Sequence, residues 1–400
     1  VSDVGLEHLR DSTNLEQLGL NQTQVSDAGL AALERMSKLT GLCLDATQVG
    51  DAGIEAVAHL PRLSEVSLAN TRITDLSASI IARWNDLTQL DLSNTAITEL
   101  GVKRLRGLKN LVHLELCSTR LSDAALQALA NMNKLENLNL RDTPITDAAL
   151  AYLKPLISLR RLYLSGTNVA GPGLENLLAL PQLDFVELPR TNVSPYYLNV
   201  LRLRNALKEK TELDFQRQPL SDVIEYLKQR HDIEIHLHLK SLRDAGIGSD
   251  SAVTLKLKGV TLREGLEKIL DPLKLTFGVH HEIVYIAAKT VADLMGDLPV
   301  VPAGQRLSPQ LTETFMQPTE LEFRQQPLND VIAYLAKKHH VDLAIDSKSL
   351  TAAGIGLDVP VTCSMNHITL KSALELVLTQ LDLVAEAEGE KVVIRRKPAE

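Results

Sequence analysis

The chain is 400 residues long, 44% hydrophobic and 23% charged, a balance that excludes a disordered chain and leaves room for several domains. None of its apolar runs is long enough to cross a bilayer. A net charge of −8 excludes a general nucleic-acid binder, which would carry a basic surface.

Val1-Ser2-Asp3-Val4-Gly5-Leu6 aligns with Val25-Ser26-Asp27-Ala28-Gly29-Leu30, so the sequence opens inside a repeat. This predicts a fragment or processed form that lacks about 20 or more residues of repeat upstream, together with any leader. Leu15, Leu39, Leu63, Leu87, Leu111, Leu135, Leu159 and Leu183 each open the pattern L-x-x-L-x-L-x-x-T, at a spacing of 24 residues. A fixed period of this size is the mark of a solenoid.

The predicted strand of each copy is x-L-x-L-x. Its leucines, such as Leu90 and Leu92, point inward and the residues between them line the concave face. Apolar residues then follow at Val25 and its equivalents, and at helical spacing in Leu30, Leu33 and Met36 or Leu126, Leu129 and Met132. One repeat cannot bury this surface alone; its neighbours complete the core. Thr23, Thr47, Thr71, Thr95, Thr119, Thr143, Thr167 and Thr191 hold one register, where a hydroxyl can bond the backbone of the turn that leaves the strand. The pairs Ser26-Asp27, Thr74-Asp75, Ser122-Asp123 and Thr146-Asp147 read as helix N-caps with a first-turn acid that offsets the dipole. Gly171-Pro172-Gly173 and Ser194-Pro195 replace that pair in the last two copies, and a longer helix from Tyr196 to about Lys210 is expected to close the stack.

This pattern resembles leucine-rich repeat proteins over about residues 1–200. The resemblance implies an α/β solenoid, with a curved parallel sheet inside and helices on the convex side. Residues 1–100 hold 6 Lys and Arg against 14 Asp and Glu, whereas residues 101–200 hold 11 against 8. A solenoid turns this into an acidic-to-basic gradient along its arc, either a means of orienting a partner or plain variation between solvated faces. Cys43 and Cys117 lie three repeats apart, roughly 14 Å at the spacing of stacked strands, too far for a disulfide. With Cys363 they form no metal-binding spacing.

From Leu213 the chain duplicates itself. Leu213-Asp214-Phe215-Gln216-Arg217-Gln218-Pro219-Leu220 recurs as Leu321-Glu322-Phe323-Arg324-Gln325-Gln326-Pro327-Leu328, an offset of 108 that continues through Gly246/Gly354 and Leu262/Leu370. The periodicity of the first copy predicts strand Glu212–Phe215, helix Leu220–Arg230 and strand Ile233–Leu239. A turn at Gly246 and Gly248 follows, then strand Val253–Leu257, helix Leu262–Leu270 and a hairpin of Leu275–Val279 with Ile283–Ala287. The motif L-x-F-x-x-x-P-L-x-D-V-I, followed by V-T-L-x-L-x-x-V-T-L, resembles the short N-terminal domain of secretins and TonB-dependent transducers. That resemblance implies interaction domains without chemistry, and a bacterial periplasm or cell-envelope setting. The expected domains are 1–210 (solenoid), 211–288 and 320–397 (the two small α+β copies), with a Pro-containing linker at 289–319 that docks in part and lets the copies reorient.

No G-x-S-x-G, phosphate loop or H-E-x-x-H occurs, so no enzyme, cofactor or metal is expected. His236 and His238 alternate on a strand and read as exposed sheet-face histidines, and His280-His281 and His339-His340, at predicted hairpin or helix-end positions, as surface. The candidate site is the concave face, whose outward positions include Glu65, Asp91, His113, Glu115, Asn139, Arg141, Arg161, Tyr163, Phe185 and Glu187. Arg and aromatic residues are the types that anchor protein interfaces. The expectation is a non-catalytic scaffold that binds a protein or cell-envelope polymer on this face, with possible self-association through 211–397. The alternative is a structural envelope component assembled through the duplicated domains, with the solenoid as a spacer.

Overall fold

A computed structural model describes residues 1–280, 282–289 and 308–397. The chain divides into two units, Val1–Val193 and Ser194–Glu400.

The first unit is a solenoid of eight parallel strands paired in sequence order: β1 (Gln17–Gly19), β2 (Gly41–Cys43), β3 (Glu65–Ser67), β4 (Gln89–Asp91), β5 (His113–Glu115), β6 (Asn137–Asn139), β7 (Arg161–Tyr163) and β8 (Phe185–Glu187). Each strand is three residues long, and the inward leucine that follows still donates to the neighbouring strand, as Leu92 does to the Glu115 carbonyl, before the turn begins. The registers are in step, with Gln17 beside Gly41, Glu65, Gln89, His113, Asn137, Arg161 and Phe185. Leu42, Leu90, Leu114, Leu138 and Leu162 are buried between strands and convex helices, as are Leu30, Leu33, Met36, Leu126, Leu129 and Met132. Full burial of each such side chain contributes about 1.5–3 kcal/mol.

All eight threonines do what their register demands. Each hydroxyl donates to the carbonyl three residues back, from Thr23 to Leu20 through to Thr191 to Leu188. The residue before each threonine is left-handed: Gln22, Ala46, Asn70, Asn94, Ser118, Asp142, Gly166 and Arg190. The threonine bond closes the turn that forces this conformation, which costs an ordinary residue about 1–2 kcal/mol.

The first-turn acids differ from expectation. They bridge repeats as well as facing their own helix dipole: Asp3 accepts from Ser26, Asp27 from Gly50, Asp75 from Thr98 and Asp123 from Thr146. Thr74 and Thr146 cap their own helices as predicted, and Thr98 does so too, whereas the Ser26 and Ser122 side chains make no cap bond. Short parallel bridges beside these caps run from Ser2–Gln24 to Thr98–Arg120. The next donor register holds Pro144, which has no N–H to give, and the adjoining convex segment Asp123–Asn131 winds as a tighter 3₁₀ helix.

The second unit repeats one order of elements. Helix Pro195–Lys208 leads into β9 (Lys210–Pro219), helix Leu220–His231, β10 (Glu234–Leu237), helix Leu239–Asp244, β11 (Ala252–Thr261), helix Leu262–Leu270, β12 (Leu275–His280) and β13 (Ile283–Ala288). Helix Pro309–Phe315 then opens the second half with β14 (Pro318–Pro327), helix Leu328–His339, β15 (Asp342–Ile345), helix Ser347–Ala352, β16 (Pro360–Thr369), helix Leu370–Thr379, β17 (Leu383–Glu388) and β18 (Lys391–Arg396). Each half has an antiparallel ribbon (β9 with β11, β14 with β16) and a three-stranded sheet (β10-β13-β12, β15-β18-β17). Left-handed residues recur at the same offset: Arg217 and Gln325, Asp232 and His340, Gly246 and Gly354, Lys274 and Asp382.

Three expectations are corrected here. The helix assigned to the end of the solenoid belongs to the second unit, where Leu203, Ala206 and Leu207 enter its core. Its counterpart lies in the expected linker, where Leu311 and Phe315 are buried in the second half's core. Most of the remaining linker, 290–307, lies outside the described residues. Strand Ile233–Leu239 stops at Leu237, since His238 turns the chain and caps helix Leu239–Asp244 by accepting from the Ser241 N–H. The histidines follow suit. His236 is largely covered and bonded to Glu234 at 2.9 Å, and His339 is buried against Thr319 and Gln317, as its equivalent His231 is against Thr211 and Glu209. His281 lies outside the described residues, and the side chain of His280 is not described.

Candidate recognition face

Strand alternation places nine of the ten candidate residues in two outward columns. Glu65, His113, Arg161 and Phe185 share the first; Asp91, Glu115, Asn139, Tyr163 and Glu187 share the second. Arg141 follows Leu140 in a third column, one strand position further on. That register also holds Asp45, which the sequence reading passed over although it occupies the place of Arg141 four repeats earlier. Asp45 accepts the N–H of Ala69 at 2.9 Å and the Ser67 hydroxyl.

The two ends of the face differ in chemistry. Towards β4 and β5, Asp91 and Glu115 are register partners. Burial raises the pKa of Asp91, against the pull of Ser93, and nearby Asp45 adds to the rise. Burial likewise raises that of Glu115, where Asn139 pulls down and Asp91 pushes up. Asn139 is itself only 8% exposed and accepts the Arg141 N–H, so it braces the strand more than it presents a contact. Cys43, beside Asp45 and Glu65, has its thiol pKa raised mainly by burial, which disfavours the reactive thiolate.

Towards β7 and β8 the side chains interlock. The Arg141 guanidinium lies 4.4 Å from the centre of the Tyr163 ring and is ion-paired with Glu187. Its hydrogen bond holds the Glu187 carboxyl below its ordinary pKa. Tyr163 in turn packs against Phe185, with ring centres 5.5 Å apart at a tilt of 57°. Phe185 is 45% exposed, and Arg161, its register neighbour, is exposed as well. Beyond them Arg190 pairs with Asp142 at 3.1 Å. Of the two arginines marked from sequence, Arg141 is therefore held within the protein, and Arg161 faces solvent. Among the described residues, no group of three or more His, Cys, Asp or Glu is placed to hold a metal ion. No helix among them is long and apolar enough to cross a membrane.

Residues 61–121 match the family model described as leucine rich repeat. The first unit is a leucine-rich repeat solenoid. No curated protein sequence matches the chain. Among solved structures, internalin C2 from Listeria monocytogenes is 25% identical, over 48% of this chain and 77% of that one, with a TM-score of 0.39. A plant peptide hormone receptor, RGFR1 in complex with RGF2, is 17% identical over 47% of this chain, which spans 34% of the receptor chain, with a TM-score of 0.34. A TDR receptor is 18% identical over 49% of this chain and 39% of its own, with a TM-score of 0.37. None of these likenesses bears on what this chain binds.

Proposed function

We propose that the chain is a non-catalytic recognition scaffold that binds a protein partner on the concave face of its repeats. The observation that supports this is the cluster at β7 and β8: an exposed Phe185 held at a fixed tilt by Tyr163, which Arg141 and Glu187 hold in turn, with Arg161 exposed beside it. A rigid aromatic with an adjacent guanidinium is the composition of an interface hot spot, since little side-chain freedom is left to lose on binding. The acidic stretch around Asp91 and Glu115 favours a partner that brings positive charge to that end. The secretin- and TonB-like motifs support a bacterial envelope setting, with residues 211–288 and 320–397 as interaction domains joined through 289–319.

Capture of a partner by the immobilised full chain tests this reading. The double variant Phe185→Ala/Arg161→Glu should lose at least about tenfold of the captured partner, while Lys103→Ala, on the convex side, should keep it. Equal capture by all three proteins would overturn it.

A further inference from the structure

The two halves of the second unit are joined by a helix cap that one half supplies to the other. Glu282, next to β13, is 3% exposed. Its carboxylate accepts the backbone N–H and, at 2.8 Å, the hydroxyl of Thr369, the N-cap of helix Leu370–Thr379 in the other half. Asn199 donates to its second oxygen at 3.1 Å. Two further contacts run the same way: Glu234 accepts the Asn366 N–H at 2.9 Å and Lys228 donates to the Ser364 carbonyl at 3.2 Å. Ile283 and Tyr285 of the first half are buried in the second half's core.

The equivalent positions, 108 residues apart, show why this contact is made once. In the first half Thr261 caps helix Leu262–Leu270, and Glu264 reaches back to the Thr261 N–H in a reciprocal capping box. In the second half the place of Glu264 is taken by Ser372, too short to return that bond, and Glu282 makes it instead. The outer surface of the second helix has changed with it. Glu375 and Leu376 are buried there, whereas their counterparts Glu267 and Lys268 are exposed. At the other end, Glu390 and Lys391 stand exposed where the first half has Glu282 and Ile283, and Arg395 is paired with Glu386 and Glu388 where the first half has Ala287. A head-to-tail contact that could repeat would give filaments or rings. Here its donor face is charged at one end, and its cap is already filled at the other.

We infer that the two halves form one rigid body locked by Glu282, and that Glu264 and the charged face of β18 keep this docking from recurring between molecules. The lock acts within one chain, so the copies do not reorient about their connection.

Hydrogen–deuterium exchange and light scattering on the full chain test this. Glu282→Ala should speed exchange at the start of helix Leu370–Thr379 by roughly fivefold or more, the loss of one cap, and should broaden the distance distribution between spin labels placed on the two halves. Glu282→Gln, which keeps the shape and one acceptor, should fall between. Glu264→Ala should speed exchange at Leu262–Leu266 alone. Exchange and distances unchanged in Glu282→Ala would overturn the lock. A wild-type mass that rises with concentration, and stops rising in Glu282→Ala or Glu390→Ala, would overturn the single use.

Discussion

Asp51 in one repeat accepts both the backbone N–H and the hydroxyl of Thr74 in the next, at 2.9 and 2.7 Å. Burial alone would raise its pKa, but the hydrogen bonds from Ser77 and Thr74 outweigh burial and hold it below the ordinary value. The folded state therefore binds this proton less readily than the unfolded chain. The stability it contributes is present above the unfolded pKa of about 4 and is lost as the pH falls through the lower folded value. Asp51→Asn should cost about 1–2 kcal/mol near neutrality. Melting followed by circular dichroism between neutral and strongly acid pH checks this: the gap between wild type and variant should close in acid, and a gap of constant size contradicts the assignment.

The left-handed register before each threonine makes a paired prediction. Ala46 has φ of 53° and Gly166 has φ of 72° at the same place in different repeats. Ala46→Gly should stabilise by up to about 1 kcal/mol, because relief of backbone strain exceeds the greater freedom of the unfolded glycine. Gly166→Ala should destabilise by about as much, with its new Cβ also 2.3 Å from Asp142 Oδ1 unless that side chain moves. Urea midpoints of the two variants should shift in opposite directions.

Phe185 and Arg141 should separate binding from stability. Phe185→Ala removes a half-exposed ring and should change stability by less than about 1 kcal/mol, yet weaken a captured partner at least about tenfold. Arg141→Ala breaks the contacts with Glu187 and Tyr163; a partly exposed pair of this kind is worth under about 1 kcal/mol. Its effect on binding should come through a loosened Tyr163, and so be smaller than that of Phe185→Ala. Titration of a captured partner against both variants, ranked beside their melting temperatures, decides the order.

His339 gives a second pH test. Burial lowers its pKa, with Lys338 and His340 adding to the effect, while its ring bonds Thr319 Oγ1 at 3.0 Å and Gln317 at 3.2 Å. The neutral ring is the folded form. Its contribution is full above the ordinary histidine pKa of about 6.5 and fades as the pH drops below that value towards the folded pKa. An NMR titration of the ring with a midpoint at or above the ordinary value would contradict this.

The solenoid was legible because its signal is periodic: the leucines, the threonines and the outward columns are all fixed by one 24-residue register. What escaped was whatever that register does not encode within a single repeat. The bond from Asp51 to Thr74 spans 23 residues and reads locally as an ordinary first-turn acid. Pro144 looks harmless until its missing N–H falls in the bridge register. In the second unit the order of elements recurs between the two copies at the offset of 108 that the sequence shows. The helices before them were misplaced because Leu203 and Leu311, or Leu207 and Phe315, lie upstream of the motif that reveals the duplication. The histidines were misread for a related reason: His339 is covered by Thr319, a neighbour 20 residues away.

The aspartate bridges also give the stack a unit of inheritance. The convex turns from Asp3 to Asp147 present a carboxylate, and in pairs such as Asp3 to Ser26, Asp51 to Thr74 and Asp123 to Thr146 the next turn presents the matching donors 23 residues on. Deleting or inserting one whole period between such pairs leaves an acceptor facing an equivalent donor. An insertion that is not a whole number of periods strands a carboxylate on one side and an uncapped amide on the other. The arc can thus be lengthened or shortened in evolution by duplicating its parts, but not by small changes inside them.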